Sequence, residues 1–274
     1  MDEQLERFKN MTVEEANAYL EEYNSCSHDC STCTSDCAGR VKKPAKLVVA
    51  VMSGKGGTGK TTVSVLLANA LRRAGLKPAI LDADISGSGL PFVLNMHEPV
   101  IGDSDVMAPA MSPAGVPVVS HALVAEDPKE PVIYPGLDLV KIAVYYFQET
   151  AWGDGLDVLL VDMPSGTGDI PLEFYTTMPF DCSLFVITPG EFAAESGLRA
   201  VNLCEMLRVP VMGVVENFAC DELSLSEKFA DIPVAASLRY EPGIRLAADN
   251  GTLENYDTDA FDFLARSIGE IISQ

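Results

Sequence analysis

The chain has 274 residues, of which 47% are hydrophobic and 22% charged, so it is long enough for one large domain or two small ones with a packed core. Asp and Glu number 40 against 19 Lys and Arg, and the formal charge of −21 argues against binding to nucleic acid or an anionic membrane. The acidic N-terminus lacks a signal-peptide core, and no apolar run has the length of a membrane span. We therefore expect a cytoplasmic protein with neither nucleic acid nor membrane as a partner.

The first 41 residues are predicted to form an arm that differs from the rest of the chain. Residues 1–24 carry a thin apolar stripe at helical spacing, which predicts one or two short helices. Residues 25–41 hold four of the seven cysteines among polar, turn-forming residues. These four are Cys26, Cys30, Cys33 and Cys37. Because disulfides are rare in a reducing compartment, four thiols this close together predict a site for a metal ion or a cluster.

The spacing C-x3-C-x2-C-x3-C leaves the identity of that metal open. Thiolates on a short loop can close around one Zn²⁺ or one four-iron cluster. The same offsets would place all four thiols on one helical stripe, but so polar a segment has little apolar core to join. The first three cysteines match the C-x3-C-x2-C pattern of radical SAM enzymes, yet here they precede a phosphate loop instead of following a barrel strand.

From residue 46 onward, strand-like apolar runs alternate with helical patterns. The predicted strands are 47–52, 79–82, 116–119, 157–162, 183–188, 211–216 and 234–236, and the long predicted helices are 60–74, 137–150, 191–207 and 258–273. This alternation predicts an α/β domain over residues 46–274, with a mostly parallel sheet and helices on both faces. Residues 102–132, rich in Pro, Ser and Asp, are predicted to be a long irregular loop or a hairpin.

A phosphate-binding loop follows the first predicted strand. Residues 53–62 read S-G-K-G-G-T-G-K-T-T and contain the pattern G-x-x-x-x-G-K-[ST] between a strand and a helix. Glycines let successive backbone N–H groups point into one concavity, and the helix N-terminus adds its positive end. We expect Lys60 to reach the β- and γ-phosphates of ATP and Thr61 to offer its hydroxyl to Mg²⁺. The other residues expected to cradle the nucleotide are Gly54, Gly56, Gly57, Thr58, Gly59 and Thr62.

Carboxylates end two of the predicted strands. Four apolar residues lead into Asp162, which is the Walker B form and predicts a ligand of Mg²⁺, direct or through water. Asp82 and Asp84 lie at the end of the predicted strand 79–82 and open a loop rich in Gly and Ser. Either segment alone could be a strand end with a helix-capping aspartate. Together with the phosphate loop, and in this order along the chain, they predict a single nucleotide site.

Lys55 makes the phosphate loop more specific. The run G-K-G-G-x-G-K-T resembles the deviant Walker A motif of the MinD-like ATPases. That resemblance implies that Lys55 reaches across a homodimer to the partner's nucleotide. It also implies that Asp84 orients or deprotonates the attacking water and that Asp82 lies near Mg²⁺. The plainer alternative for Lys55 is a surface lysine on a tight loop.

Five segments together resemble the Mrp/ApbC family of iron–sulfur cluster carrier ATPases. They are residues 53–62, 82–91, 162–169, 188–189 and 213–217. The resemblance implies a dimeric ATPase that holds a [4Fe–4S] cluster and hands it to apo iron–sulfur proteins. It implies that Asn217 contacts adenine, and it favours a cluster over zinc at the four N-terminal cysteines.

The cysteines of the C-terminal half differ from that family's pattern. The C-x-x-C expected soon after residues 213–217 is replaced by a single Cys220, so two subunits would supply two thiolates to a bridging cluster and not four. Cys182 and Cys204 are interpreted as core thiols. Two other functions stay open: a MinD/ParA-like regulatory ATPase with an N-terminal zinc knuckle for partner docking, and an ATP-driven reductase that passes electrons from the N-terminal cluster.

Overall fold

The computed structural model describes residues 42–97, 107–125, 131–220, 229 and 231–273. The helices predicted over residues 1–24 and the cysteine-rich loop predicted over residues 25–41 lie outside these ranges. The assignment of Cys26, Cys30, Cys33 and Cys37 as metal ligands therefore stays a prediction.

The described residues form eight strands and seven α-helices. The strands are β1 Leu47–Met52, β2 Pro78–Asp82, β3 Ala110–Met111, β4 Pro117–Val119, β5 Val158–Asp162, β6 Cys182–Ile187, β7 Val211–Ala219 and β8 Val234–Arg239. The helices are α1 Lys60–Arg73, α2 Leu90–Val93, α3 Gly136–Glu149, α4 Asp169–Thr177, α5 Glu191–Met206, α6 Pro242–Asp249 and α7 Asp262–Ile272. Short 3₁₀ turns occupy Ile85–Gly87, His121–Leu123 and Leu253–Asn255.

All eight strands belong to one sheet in the order β3-β4-β2-β5-β1-β6-β7-β8. Every pairing is parallel except that of β3 with β4, which is antiparallel. Strands β1, β5 and β6 are buried along their whole length because helices cover both faces of the sheet. Val49 and Val51 of β1 pack on the side of α1 and α7, whereas Val48 and Ala50 pack on the side of α3, α4 and α5. The predicted mostly parallel α/β fold is thus confirmed.

The predicted elements are present, with shifts at their ends. β7 and β8 each continue three residues beyond their predicted ends. The helix predicted from residue 258 begins only at Asp262, because the Thr258 hydroxyl accepts a hydrogen bond from Ala260 N and its carbonyl accepts one from Arg73. The short helices α2, α4 and α6 were not predicted, since segments of this length show little periodicity. Within the predicted loop 102–132, the described part contains the β3–β4 hairpin.

Candidate nucleotide site

The phosphate loop and the predicted carboxylates meet at the carboxyl edge of the sheet. β1 runs directly into the loop, and its parallel neighbour β5 ends at Asp162. In the register of β2 with β5, Asp82 lies opposite Asp162. Open parallel sheets bind ligands at this edge because neighbouring strands end there side by side.

Backbone geometry explains the glycines of the phosphate loop. Gly57 and Gly59 have φ values of +77° and +87°, a left-handed conformation that glycine adopts without a steric penalty. A Cβ at Gly54 would lie 2.0 Å from the backbone oxygen of Ser196, so the loop touches α5 without any intervening side chain. Gly166 N donates a hydrogen bond of 3.0 Å to Ser53 O, which joins the loop after β5 to the phosphate loop.

Thr61 and Asp162 are directly bonded. The Thr61 hydroxyl donates to Asp162 Oδ2 over 2.6 Å. Asp162 Oδ1 and Thr58 Oγ1 are buried and find no hydrogen-bond partner among the described residues. Burial raises the pKa of Asp162 to about 6, against the opposing effects of the Thr61 hydrogen bond and the Lys60 charge. These buried, unused oxygens can each accept a ligand at this position.

Asp82 is held by a residue that the sequence did not single out. Ser120, which directly follows β4, donates a hydrogen bond of 2.8 Å to Asp82 Oδ2. Burial and the neighbouring Asp162 raise the pKa of Asp82 to about 8, although the Ser120 hydrogen bond acts in the other direction. The only sequence signal for Ser120 was a polar residue at the end of a predicted strand.

Asp84 sits at the start of the turn that follows β2. Its carbonyl accepts a hydrogen bond of 2.9 Å from Gly87 N, and a Cβ at Gly87 would lie 3.0 Å from its carboxylate. The side chain is half-buried, and its charge raises the pKa of both Asp82 and Asp162. The three carboxylates therefore lie within electrostatic range of one another beside Lys60.

Lys55 and Asn217 connect the phosphate loop to the neighbouring elements α5 and β7. Lys55 Nζ lies 5.8 Å from the ring centroid of Phe192, an exposed residue in the first turn of α5, which is a cation–π arrangement. The buried Asn217 amide donates a 2.7 Å hydrogen bond to Thr58 O and accepts one of 3.0 Å from Phe218 N. Asn217 thus supports the phosphate loop from β7, and its contact with adenine stays a prediction.

Comparison with known proteins decides the family. The family model described as ParA: NUBPL iron-transfer P-loop NTPase matches residues 44–252. The chain belongs to this family. An iron–sulfur cluster carrier protein of Clostridium perfringens is 33% identical over 233 residues, which are 77% of this chain and 82% of that protein. The carrier protein of Escherichia coli K12 is 39% identical over 176 residues, which cover 64% of this chain and 47% of that protein.

Solved structures share the fold of this iron-transfer P-loop NTPase. A nucleotide-binding protein from Archaeoglobus fulgidus, solved in complex with ADP, aligns with a TM-score of 0.68 and 30% identity over 80% of this chain and 92% of that one. The cell division ATPase MinD of Pyrococcus furiosus aligns with a TM-score of 0.63 and 21% identity over 82% and 99% of the two chains. At 21% identity, the similarity to MinD shows a shared fold alone.

The remaining cysteines of the NTPase have contrasting surroundings. Cys182 and Cys204 are buried, which confirms their interpretation as core thiols. Burial raises the pKa of Cys182 to about 12 and also raises that of Cys204, so both stay protonated. Cys220 is exposed directly after β7.

Among the described helices, none combines the length and the apolar character that crossing a bilayer requires.

Proposed function

We propose that this NTPase binds and hydrolyses ATP in order to hold an iron–sulfur cluster and transfer it to apo-proteins. One observation carries the nucleotide part: a glycine-rich loop, its helix N-terminus and three carboxylates converge on one edge of the sheet. The cargo is supported by relatives that cover most of this chain and are named iron–sulfur cluster carriers. The chain spans about half of the Escherichia coli carrier, so the activity of that whole protein comes here only as part of this proposal.

Magnesium fits the donor set at the end of β5. Mg²⁺ prefers oxygen ligands and is commonly held by one or two carboxylates together with substrate phosphates. Thr61 and Asp162 would hold it, with Asp82 close by, and the unused Asp162 Oδ1 supports this assignment. No three His, Cys, Asp or Glu side chains gather as a ligand set within the described residues, so phosphate oxygens and waters would complete the coordination. When bound, the ion would neutralise charge on the phosphates.

The protein's own groups have distinct roles in this proposal. Backbone N–H groups of residues 54–59 and the Lys60 ammonium bind the phosphates, and the low-dielectric surroundings strengthen these contacts. Asp84 orients or deprotonates the attacking water, for which its half-buried position beside the other two carboxylates is suited. Lys55 leaves Phe192 and reaches the nucleotide of a second copy in a homodimer.

The cargo half of the proposal assigns Cys26, Cys30, Cys33 and Cys37 to a [4Fe–4S] cluster, with zinc as the alternative. ATP can control cluster release only if the two states of the homodimer bind the cluster with different affinity. The exposed thiol of Cys220, directly after β7, is the alternative ligand, which would serve a cluster that bridges two subunits. The proposed clients are apo iron–sulfur proteins, and the proposed compartment is the cytoplasm.

Metal content of the full chain tests this function. The protein would be purified and reconstituted without oxygen, and iron, sulfide and zinc would be measured with the visible spectrum. We expect about four irons and four sulfides per chain. The double variant Cys26→Ala/Cys30→Ala should lose the visible band, and Cys220→Ser should keep it. Cluster transfer to an apo iron–sulfur protein would then be followed with and without ATP.

Two outcomes contradict the proposed cluster site. About two irons per chain that survive the double variant but disappear in Cys220→Ser would place the cluster between two subunits. Stoichiometric zinc without colour would make the arm a structural knuckle and favour a regulatory ATPase.

A further inference from the structure

Phe192 presents a large apolar side chain to solvent beside the phosphate loop. It lies in the first turn of α5, and 72% of it is exposed. Its ring has a charged neighbour, since Lys55 Nζ lies over the ring at 5.8 Å from its centroid. A cation at this distance is attracted by the negative face of an aromatic ring. The contact gives the exposed ring a role that packing in the core does not.

The backbone of the phosphate loop brings Lys55 to this ring. Gly54 lies against the carbonyl oxygen of Ser196, which is about one helical turn after Phe192 on α5. The Ser53 hydroxyl donates a hydrogen bond of 2.7 Å to Lys55 O. These two contacts hold the backbone of the loop at Lys55. The ammonium can therefore change its partner by rotation of the side chain, without movement of the loop.

The ring holds this ammonium without an acidic partner. Glu191 and Glu195 lie within one turn of Phe192 on α5, yet no salt bridge to Lys55 occurs among the residues that the structure describes. Several other lysines do pair with aspartates. A phosphate can displace a neutral ring, because hydrogen bonds between oppositely charged groups are the stronger ones. Lys55 is thus restrained but stays available to an anionic ligand.

We propose that Phe192 is a positioning residue, which holds Lys55 on its own subunit until a second copy presents the phosphates of its bound ATP. This inference rests on the proposed homodimer and adds a residue outside the phosphate loop that regulates its formation. Because Lys55 must leave the ring when the subunits pair, the contact stabilises separate subunits relative to the dimer. Removal of the ring should therefore tighten the dimer.

The dissociation constant of the dimer tests this role. It would be measured on the full chain by sedimentation equilibrium, with Mg²⁺ and a non-hydrolysable ATP analogue. The strength of an exposed cation–π contact predicts that Phe192→Leu lowers the dissociation constant by about 2- to 5-fold. Phe192→Tyr keeps an aromatic face and should match wild type. Phe263→Leu, at a ring of α7 that is 71% exposed, is the matched control and should also match wild type.

Two further measurements show whether the ring acts through Lys55. In a Lys55→Met background, Phe192→Leu should leave the dissociation constant unchanged, whereas an effect of side-chain size would persist. In the nucleotide-free protein with ¹³C-methylated lysines, the ring current should shift the NMR signal of Lys55 upfield. Phe192→Leu should remove that shift, and Phe192→Tyr should keep it.

Each contradicting result has its own signature. An unchanged dissociation constant in Phe192→Leu overturns the positioning role, and an increase would make Phe192 a contact of the dimer instead. An equal shift with and without Lys55, or a Lys55 NMR signal that ignores Phe192→Leu, overturns it as well. If wild type stays monomeric with the ATP analogue, the proposed homodimer fails and the role of Phe192 fails with it.

Discussion

The two halves of the proposed nucleotide site are built in different ways. The phosphate half comes from one continuous loop, residues 53–62, and from carboxylates at the ends of adjacent strands. The supporting half consists of Ser120 and Asn217, which only the tertiary fold brings to Asp82 and to the phosphate loop. The phosphate half would bind charge directly, whereas the supporting half fixes the positions of the groups that do so.

The two halves also lower the stability of the nucleotide-free protein in different ways. In the phosphate half, Asp82 and Asp162 are buried next to each other, and the pKa of each is raised. In the supporting half, the cost is the left-handed backbone of Phe218, with a φ of +59°, directly after Asn217. Binding sites of this kind lower the stability of the free protein, and the ligand restores it.

Lys60→Ala should have the largest effect and should act on the phosphate half alone. Removing a buried charge partner of the phosphates should weaken both ATP and tripolyphosphate by about 100-fold or more. Calorimetry would measure this, with Lys141→Ala, at an exposed lysine of α3 outside the site, as the matched control that keeps binding. Wild-type affinity in Lys60→Ala would place the phosphates elsewhere.

Asp84→Asn should slow hydrolysis of ATP without weakening its binding. The amide keeps the size of the side chain but cannot take a proton, so phosphate release from ATP should slow by about 100- to 1,000-fold. ATP affinity measured by calorimetry should stay within a factor of about three of wild type. Turnover at the wild-type rate would remove the proposed role of Asp84.

Asn217→Ala should affect the phosphate half through the supporting half, because the Asn217 amide holds the phosphate loop. The change leaves the Thr58 carbonyl and the Phe218 N–H without their partner, which should lower the free energy of unfolding by about 1–3 kcal/mol. A loosened loop should weaken ATP and tripolyphosphate alike, by roughly tenfold. Loss of ATP affinity with unchanged tripolyphosphate affinity would instead assign Asn217 to the base alone.

Asp82→Asn should have the smallest effect, on stability and its pH dependence. Since burial raises the pKa of Asp82 from 3.8 to about 8, the native carboxyl keeps its proton at pH values where the unfolded one has lost it. The nucleotide-free wild type should therefore lose stability as the pH rises through this range. The variant cannot ionise, so it should melt roughly 5 °C higher than wild type at pH 8. The two melting temperatures should converge near pH 4, and equal values at pH 8 would contradict the buried charge.

The sequence by itself determined the fold class and the phosphate half. Alternating strand and helix patterns predict a parallel sheet because helical crossovers cover both of its faces. The phosphate loop could be predicted because phosphate binding of this kind needs contiguous residues between a strand and a helix. The positions of Asp82 and Asp162 in the site could be predicted because parallel strands end side by side at one edge of the sheet.

Only the tertiary structure decided which side chains support these groups. Ser120 bonds to Asp82 across 38 residues of chain, and Asn217 bonds to the phosphate loop across 159. The bulge that turns Phe218 towards Tyr240 is a property of the register between β7 and β8. Contacts of this kind leave no local pattern, because a one-residue shift in strand pairing would exchange the two faces of a strand. The register is set by packing of the whole sheet between its helices, and no single segment of the sequence specifies that packing.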